Sequence, residues 1–304
     1  MTSQHPLAQA ADESSSIYDL GYRRYEGVRL GRRHAILALY RESLRAAFGL
    51  GRSWSAKVGP AILIFIALVP ALIQIIVGAL IPAGELELIR HDEYYGGVKF
   101  ILALYVGVVA PDVVGRDQRT RALTLYFTRP MSRSDYALGK LAAMTTAMLF
   151  ITLIPQLLLF IGNALSTDDF AQFASDNWDQ LFPIVGTALF GSWLIASIGT
   201  VIAAQTPQRA FATVGIIVAF LLTTAISAVM LQEFETPWTD ATAFLSPLEL
   251  VDGLTYWMFR TDISGNGSLV EMSGFATAWF GLGAAVMALA CDALLLRRYA
   301  KVQA

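Results

Sequence analysis

The chain has 304 residues, 55% of them hydrophobic and only 15% charged, with a net charge of −2 and a mean hydropathy of +0.54. Soluble domains carry about 25% charged residues, and the apolar residues here lie in runs longer than one soluble core needs, so a water-soluble globular protein is excluded. The single cysteine, Cys291, excludes an internal disulfide and leaves the redox compartment open.

In chain order, residues 1–17 are Ser-rich without an apolar period, the pattern of a disordered segment. Residues 18–33, "YDLGYRRYEGVRLGRR", are aromatic and basic and predict an ordered but irregular stretch. Nothing in residues 1–57 has the compact apolar core of a signal peptide. Over 34–57, at about 100° per residue, Ile36, Leu37, Leu39, Tyr40, Leu44, Phe48, Leu50 and Trp54 cover half of a helix. His34, Arg41, Arg45 and Arg52 cover the other half. This predicts an amphipathic interfacial helix, with Arg41, Arg45 and Arg52 toward lipid phosphates and Trp54 as an anchor. A helix packed on a soluble partner is the alternative, and "GLG" at 49–51 interrupts the pattern.

About 20 apolar helical residues cross a bilayer. Six segments fit: 58–83, 96–114 (uncharged from 100), 141–165, 182–204, 210–231 and 274–296. Backbone polar groups in lipid must be satisfied within the segment, so the fold class is all-α, a polytopic membrane protein of six transmembrane helices. Two parts follow, a segment 1–57 and a transmembrane domain 58–304. With the N-terminus cytoplasmic, residues 1–57, 115–140, 205–209 and 297–304 hold 19 of the 22 Lys and Arg, and the outer loops hold 15 Asp and Glu. The positive-inside bias therefore sets an N-in, C-in topology in the cell's inner or plasma membrane. The basic face needs no nucleic acid to explain it; membrane lipid does. The outer loop 232–273 contains "PLELVDGLTYWMF" (247–259), read either as a re-entrant helix or as a surface helix over the outer end.

Several chemistries lack their residues. The three histidines lie outside the spans, and there is no HExxH, no Cys/His cluster and no GxxxxGK[ST] loop, so metal, cofactor and catalytic sites are not expected. Ser192, Ser197 and Ser227 have no basic partner in the spans and read as helix-packing residues. Asp112 and Asp292 lie near the cytoplasmic ends, where Arg116 and Arg297 or Arg298 offer local ion pairs. The interior reads as neutral, with Gln74, Gln156, Asn163, Thr223 and Thr224 as a candidate substrate path; Thr200 is a further neutral polar residue. Gradient-driven pumps need buried charge, so the reading is that energy comes from elsewhere.

The densest motif is "GRDQRTRALTLYFTRPMSRSDYALGK" (115–140), with five arginines, one lysine and two aspartates. Asp117 suits the start of a short helix. Leu123, Tyr126 and Phe127 form an apolar face beside Arg116, Arg119 and Arg121. Pro130 stops that helix, and Ser132 with Asp135 has capping-box spacing for the next. A charged shaft with an apolar knob suits insertion into a partner's groove.

This stretch resembles the loop between spans two and three of ABC-2-type permeases, the membrane subunits of a class of ABC transporters. Asp117, Arg119, Thr120, Leu123, Pro130, Ser132, Arg133, Tyr136, Gly139 and Lys140 match its pattern, while Arg121-Ala122 replaces the usual Gly-Thr. The resemblance implies a permease working in the export direction that lacks a nucleotide site of its own. A separate cytoplasmic ABC ATPase would hold ATP and magnesium. The chain would pair with a second copy or a similar permease. A coupling helix over Arg116–Tyr126 would dock in the ATPase. The implied interface is Arg116, Asp117, Arg119, Thr120, Arg121, Leu123, Tyr126, Phe127, Arg129, Pro130 and Arg133. Two other readings stand beside it: a subunit passing mechanical work without transport, and a stand-alone secondary carrier using Asp112 or Asp292.

Overall fold

The computed structural model describes residues 30–51, 53–80, 89–120, 122–128, 130–167, 169–234, 236 and 238–301, without the side chains of residues 55, 78, 79 and 127. The expectations for residues 1–29 and for Arg52, Arg121 and Arg129 lie outside the described residues, as does that for the Phe127 side chain. The structure is 81% helical, with no strand among the described residues.

The helices are α1 (Arg32–Ala47), α2 (Trp54–Leu80), α3 (Tyr94–Val113), α4 (Gly115–Arg119), α5 (Leu123–Phe127) and α6 (Arg133–Leu165). They continue with α7 (Phe170–Asp176), α8 (Leu181–Ala203), α9 (Arg209–Glu233), α10 (Pro247–Phe259), α11 (Leu269–Met272) and α12 (Thr277–Ala300). Six are long and apolar enough to cross a membrane: α2, α3 continued by α4, α6, α8 with the turn before it, α9 and α12. At least half of the apolar stretch of α3, α6 and α8 is buried, against at most 22% for α2, α9 and α12. The first three therefore form the centre, and the others present apolar faces outward.

The expected helix over 34–57 is two helices. Gly49 and Gly51 take φ of +69° and +80°, a region that disfavours other residues. A Cβ on Gly49 would also lie 3.0 Å from the Lys57 Cα. Trp54 therefore opens α2 rather than closing α1. Helix α1 packs on the bundle: Leu39 lies against Gly139, and the Tyr105 hydroxyl donates to the Ala47 carbonyl at 3.0 Å. Leu37 stays 51% exposed and Trp54 80%, so the apolar residues divide between protein and surroundings.

Helix α6 begins at Arg133, eight residues before the apolar run. Ser132 and Asp135 form the predicted capping box: Asp135 N donates to Ser132 Oγ at 3.1 Å and Ser132 N to Asp135 Oδ2 at 2.9 Å. Hydropathy locates the apolar part of a helix, while the cap locates its start.

Helix α10 is inserted into the bundle. Its residues Pro247 through Thr255 are all buried, packed among α3, α8, α9 and α12. A surface helix over the end does not fit this burial. At Gly253 the backbone approaches Phe280 so closely that an added Cβ would overlap its ring. Serine and threonine tie helices together, as expected: Thr152 and Ser192 hydroxyls join α6 to α8 at 2.9 Å, and Ser227 Oγ donates to the Thr242 carbonyl at 2.6 Å.

Candidate functional site

The motif at 115–140 lies at the end of the bundle where α3, α6, α9 and α12 meet. Helix α4 continues α3 with one irregular residue, Val114, so the loop starts as an extension of a span. The expected single helix over Arg116–Tyr126 is broken into α4 and α5. The Thr120 hydroxyl donates to the Arg116 carbonyl at 3.1 Å and the Ala122 amide to the Asp117 carbonyl at 2.9 Å, closing α4 as a tight turn.

Asp117 does not cap the short helix; it turns inward and is buried. Its Oδ2 accepts from Tyr136 Oη at 2.8 Å and pairs with Lys140 Nζ at 2.8 Å. Lys140 also donates to the Val113 carbonyl at 2.8 Å, one of the carbonyls that the end of α3 leaves open. A cation there also faces the negative end of the helix dipole. The Tyr136 ring packs on Tyr299 of α12 at 5.1 Å and on Tyr126 of α5 at 5.5 Å. Gln118 donates to the Ala204 carbonyl at 3.1 Å. Asp112 pairs with Arg209 at 3.2 Å and Arg119 at 3.6 Å, where the sequence suggested Arg116. These bonds tie one short segment to α6, to α12 and to the α8–α9 turn.

What remains outside is small and basic. Arg116, Arg119, Thr120, Pro130 and Arg133 are exposed, and Arg133 donates to the Ala300 carbonyl at 3.1 Å. Leu123 and Tyr126, expected as the protruding knob, pack against the core, and Leu125 projects instead at 69% exposure. Helix α1 borders this face: Arg32 makes a two-pronged pair with Asp135 at 2.7 Å, which raises the guanidinium's affinity for its proton, chiefly through the hydrogen bond. A cavity of about 290 Å³ opens between α1 and the loop, lined by Leu39, Glu42, Tyr126 and Met131 among others. Arg41 and Arg45 are exposed on α1.

The candidate path residues fall in three places. Gln74 Nε2 donates to Asn163 Oδ1 at 2.7 Å, joining α2 to α6. Gln156 Oε1 lies 2.6 Å from His91 Nδ1, and its amide donates to the His91 carbonyl at 3.0 Å. Thr223 and Thr224 bond backbone carbonyls of α9, and Thr224 also meets Ser246 at 2.7 Å, before α10. Asp292, expected beside Arg297 and Arg298, accepts from the Trp193 indole at 2.9 Å.

The reading of a neutral interior is overturned at the opposite end. Lys99 of α3 reaches Glu249 at 3.1 Å and Asp252 at 2.5 Å, both on α10, with side-chain exposures of 14%, 3% and 6%. Burial pushes the Asp252 carboxyl up to about 6, against the opposing pull of Lys99. The sequence reading puts Glu249 and Asp252 in the outer loop 232–273 and Lys99 at the outer edge of the second span, before its uncharged run; the signal was Glu249 and Asp252 at i, i+3 in an apolar segment. Near them a cavity of about 640 Å³ is lined by Arg90, Asp92, Phe182, Phe259, Arg260 and other residues. Asp92 accepts from Arg90 at 3.0 Å and Thr261 at 2.8 Å. Among the described residues no group of three or more His, Cys, Asp or Glu could hold a metal ion.

The family model described as ABC-2 family transporter protein matches residues 6–299. No curated protein matches the chain. With that match over almost its whole length and six apolar helices able to span a bilayer, the chain belongs to the ABC-2 transporter family and is a multi-pass membrane protein, a permease subunit of an ABC transporter.

Proposed function

We propose that this chain is the permease half of an ATP-driven exporter in the inner or plasma membrane, with both termini cytoplasmic. Its 115–140 segment is the coupling element for a separate cytoplasmic ATPase, which binds ATP and magnesium. The carrying observation is the loop's anchoring: Asp117, Gln118 and Arg133 bind it to three parts of the bundle while Arg116 and Leu125 point outward. A segment fixed in this way passes displacement to the spans instead of absorbing it. Export is the direction that the family resemblance implies. The exposed apolar faces of α2, α9 and α12 suit lipid and a second permease, either another copy or a similar chain. In this arrangement Arg41, Arg45 and Trp54 lie at the membrane surface.

The test is a pull-down of the tagged chain in mild detergent. A co-purifying nucleotide-binding subunit with vanadate-sensitive ATPase activity is expected. Reversing the charge at Arg116, Arg119 and Arg121 should weaken that association without preventing membrane insertion; unchanged co-purification would sink the docking role. Sidedness is read separately: cysteines at Leu125 and Trp178 should label from opposite faces of the membrane, and Leu125 from the cytoplasm. The buried charges around Lys99 favour one second reading, a gradient-driven carrier, which predicts full activity without any ATPase.

A further inference from the structure

We propose that Lys99, Glu249 and Asp252 form a proton-binding site that sets how tightly α10 is held in the bundle. The argument begins with charge balance. Two buried carboxylates face one ammonium, so the fully ionised cluster carries one uncompensated negative charge. A buried charge without a partner is costly, and a carboxyl answers by taking a proton. Asp252 is the natural acceptor: it is 5% exposed, and its Oδ1 is buried without a hydrogen-bond partner. With that proton bound, Lys99 and Glu249 remain as a neutral pair.

Among the described residues no other cation pairs with these carboxylates; Arg260 follows α10 and lines the neighbouring cavity, and His91, held by Gln156, stacks on Phe259 of α10 at 6.2 Å. On α10 itself Tyr256 is the next titratable group, and across from it Asp92 is already paired with Arg90. Helix α8 contains no ionisable residue. On α12 they begin at Cys291 and Asp292, toward the basic end, and α9 contributes only Arg209 and Glu233 at its two ends. On α3, Tyr94 and Tyr95 are buried hydroxyls and Asp112 belongs to the basic end. The neighbouring turns add Asp240, which is exposed, and Glu271, which accepts from the Gly265 and Gly267 amides.

The sign follows. The ordinary value is 3.8 and the packed value about 6. A carboxyl raised in the packed state contributes its full stabilisation below the ordinary value, and loses it as pH rises through the packed one. Helix α10 is therefore held tightest in acid and loosens between about pH 4 and 6. A plain structural salt bridge predicts the reverse, with acid breaking the Lys99–Asp252 pair.

The experiment is amide hydrogen exchange across 247–259 in the detergent-solubilised full chain, corrected for intrinsic rates. Exchange should be about tenfold faster at roughly pH 7.5 than at pH 5. Asp252→Asn, which mimics the protonated side chain, should exchange slowly at both. Exchange independent of pH, or slowed by raising it, overturns the proposal, and so does an Asp252→Asn chain that exchanges faster than the parent at neutral pH. The pH series on the parent chain needs no variant, so a substitution that fails to fold leaves the test intact.

Discussion

The two ends of the bundle each bury a lysine, and they solve the problem differently. At the basic end Lys140 meets one carboxylate, Asp117, and one helix-terminal carbonyl, Val113. Charge is balanced and the two bonds tie α6 to α3 and to α4, so the pair works as a pin. At the acidic end Lys99 meets two carboxylates, and the excess charge is free to bind a proton. The number of partners, rather than depth of burial, separates a fixed joint from a titratable one.

The largest effect should come from unbalancing the pin. Lys140→Met leaves Asp117 buried without its cation and should cost about 3–5 kcal/mol, read as a lowered unfolding midpoint in detergent. Adding Asp117→Leu should recover most of it, because an apolar pair of similar volume carries no stranded charge. Failure of the double variant to recover would mean that the Tyr136 hydrogen bond, not the ion pair, holds the joint. Lys99→Met should destabilise by a similar amount at neutral pH but be largely rescued by acid, since both remaining carboxylates can protonate. Equal losses at both pH values would erase the contrast between the two ends.

Smaller effects test the packing around each joint. Gly253→Val should cost about 1–3 kcal/mol through overlap with the Phe280 ring, and a compensating Phe280→Leu should return part of it. Arg209→Ala removes a half-exposed partner of Asp112. It should cost about 1 kcal/mol or less, because Arg119 stays within reach and solvent screens the pair. Arg32→Ala should matter least. Arg32 is fully exposed, so salt should already have weakened its pair with Asp135, and the midpoint should not move at high ionic strength.

Some local features of the basic end were legible in advance, and the buried cluster at the acidic end was not. The capping box at Ser132 and Asp135 and the break at Gly49 and Gly51 depend on residues a few positions apart, so local spacing reveals them. Asp117 and Lys140 were both noted in the motif, but nothing in their 23-residue separation showed that they meet. Leu123, Tyr126 and Leu125 lie on one short segment, and which of them projects depends on where α6 and α12 stand. Lys99 and Asp252 are 153 positions apart, and a lysine just before a span looks solvated until a second helix is laid over it.

Composition and run length by themselves determined that this chain is helical and has six segments long and apolar enough to cross a membrane. Each of those properties is a sum over neighbouring residues, set by bilayer thickness and by the cost of exposing backbone to lipid. The tertiary structure alone decided which charges are buried, which partners they have and that α10 lies inside the bundle. Those outcomes depend on how distant helices pack, and the cost of a buried charge is settled only once its neighbours are in place.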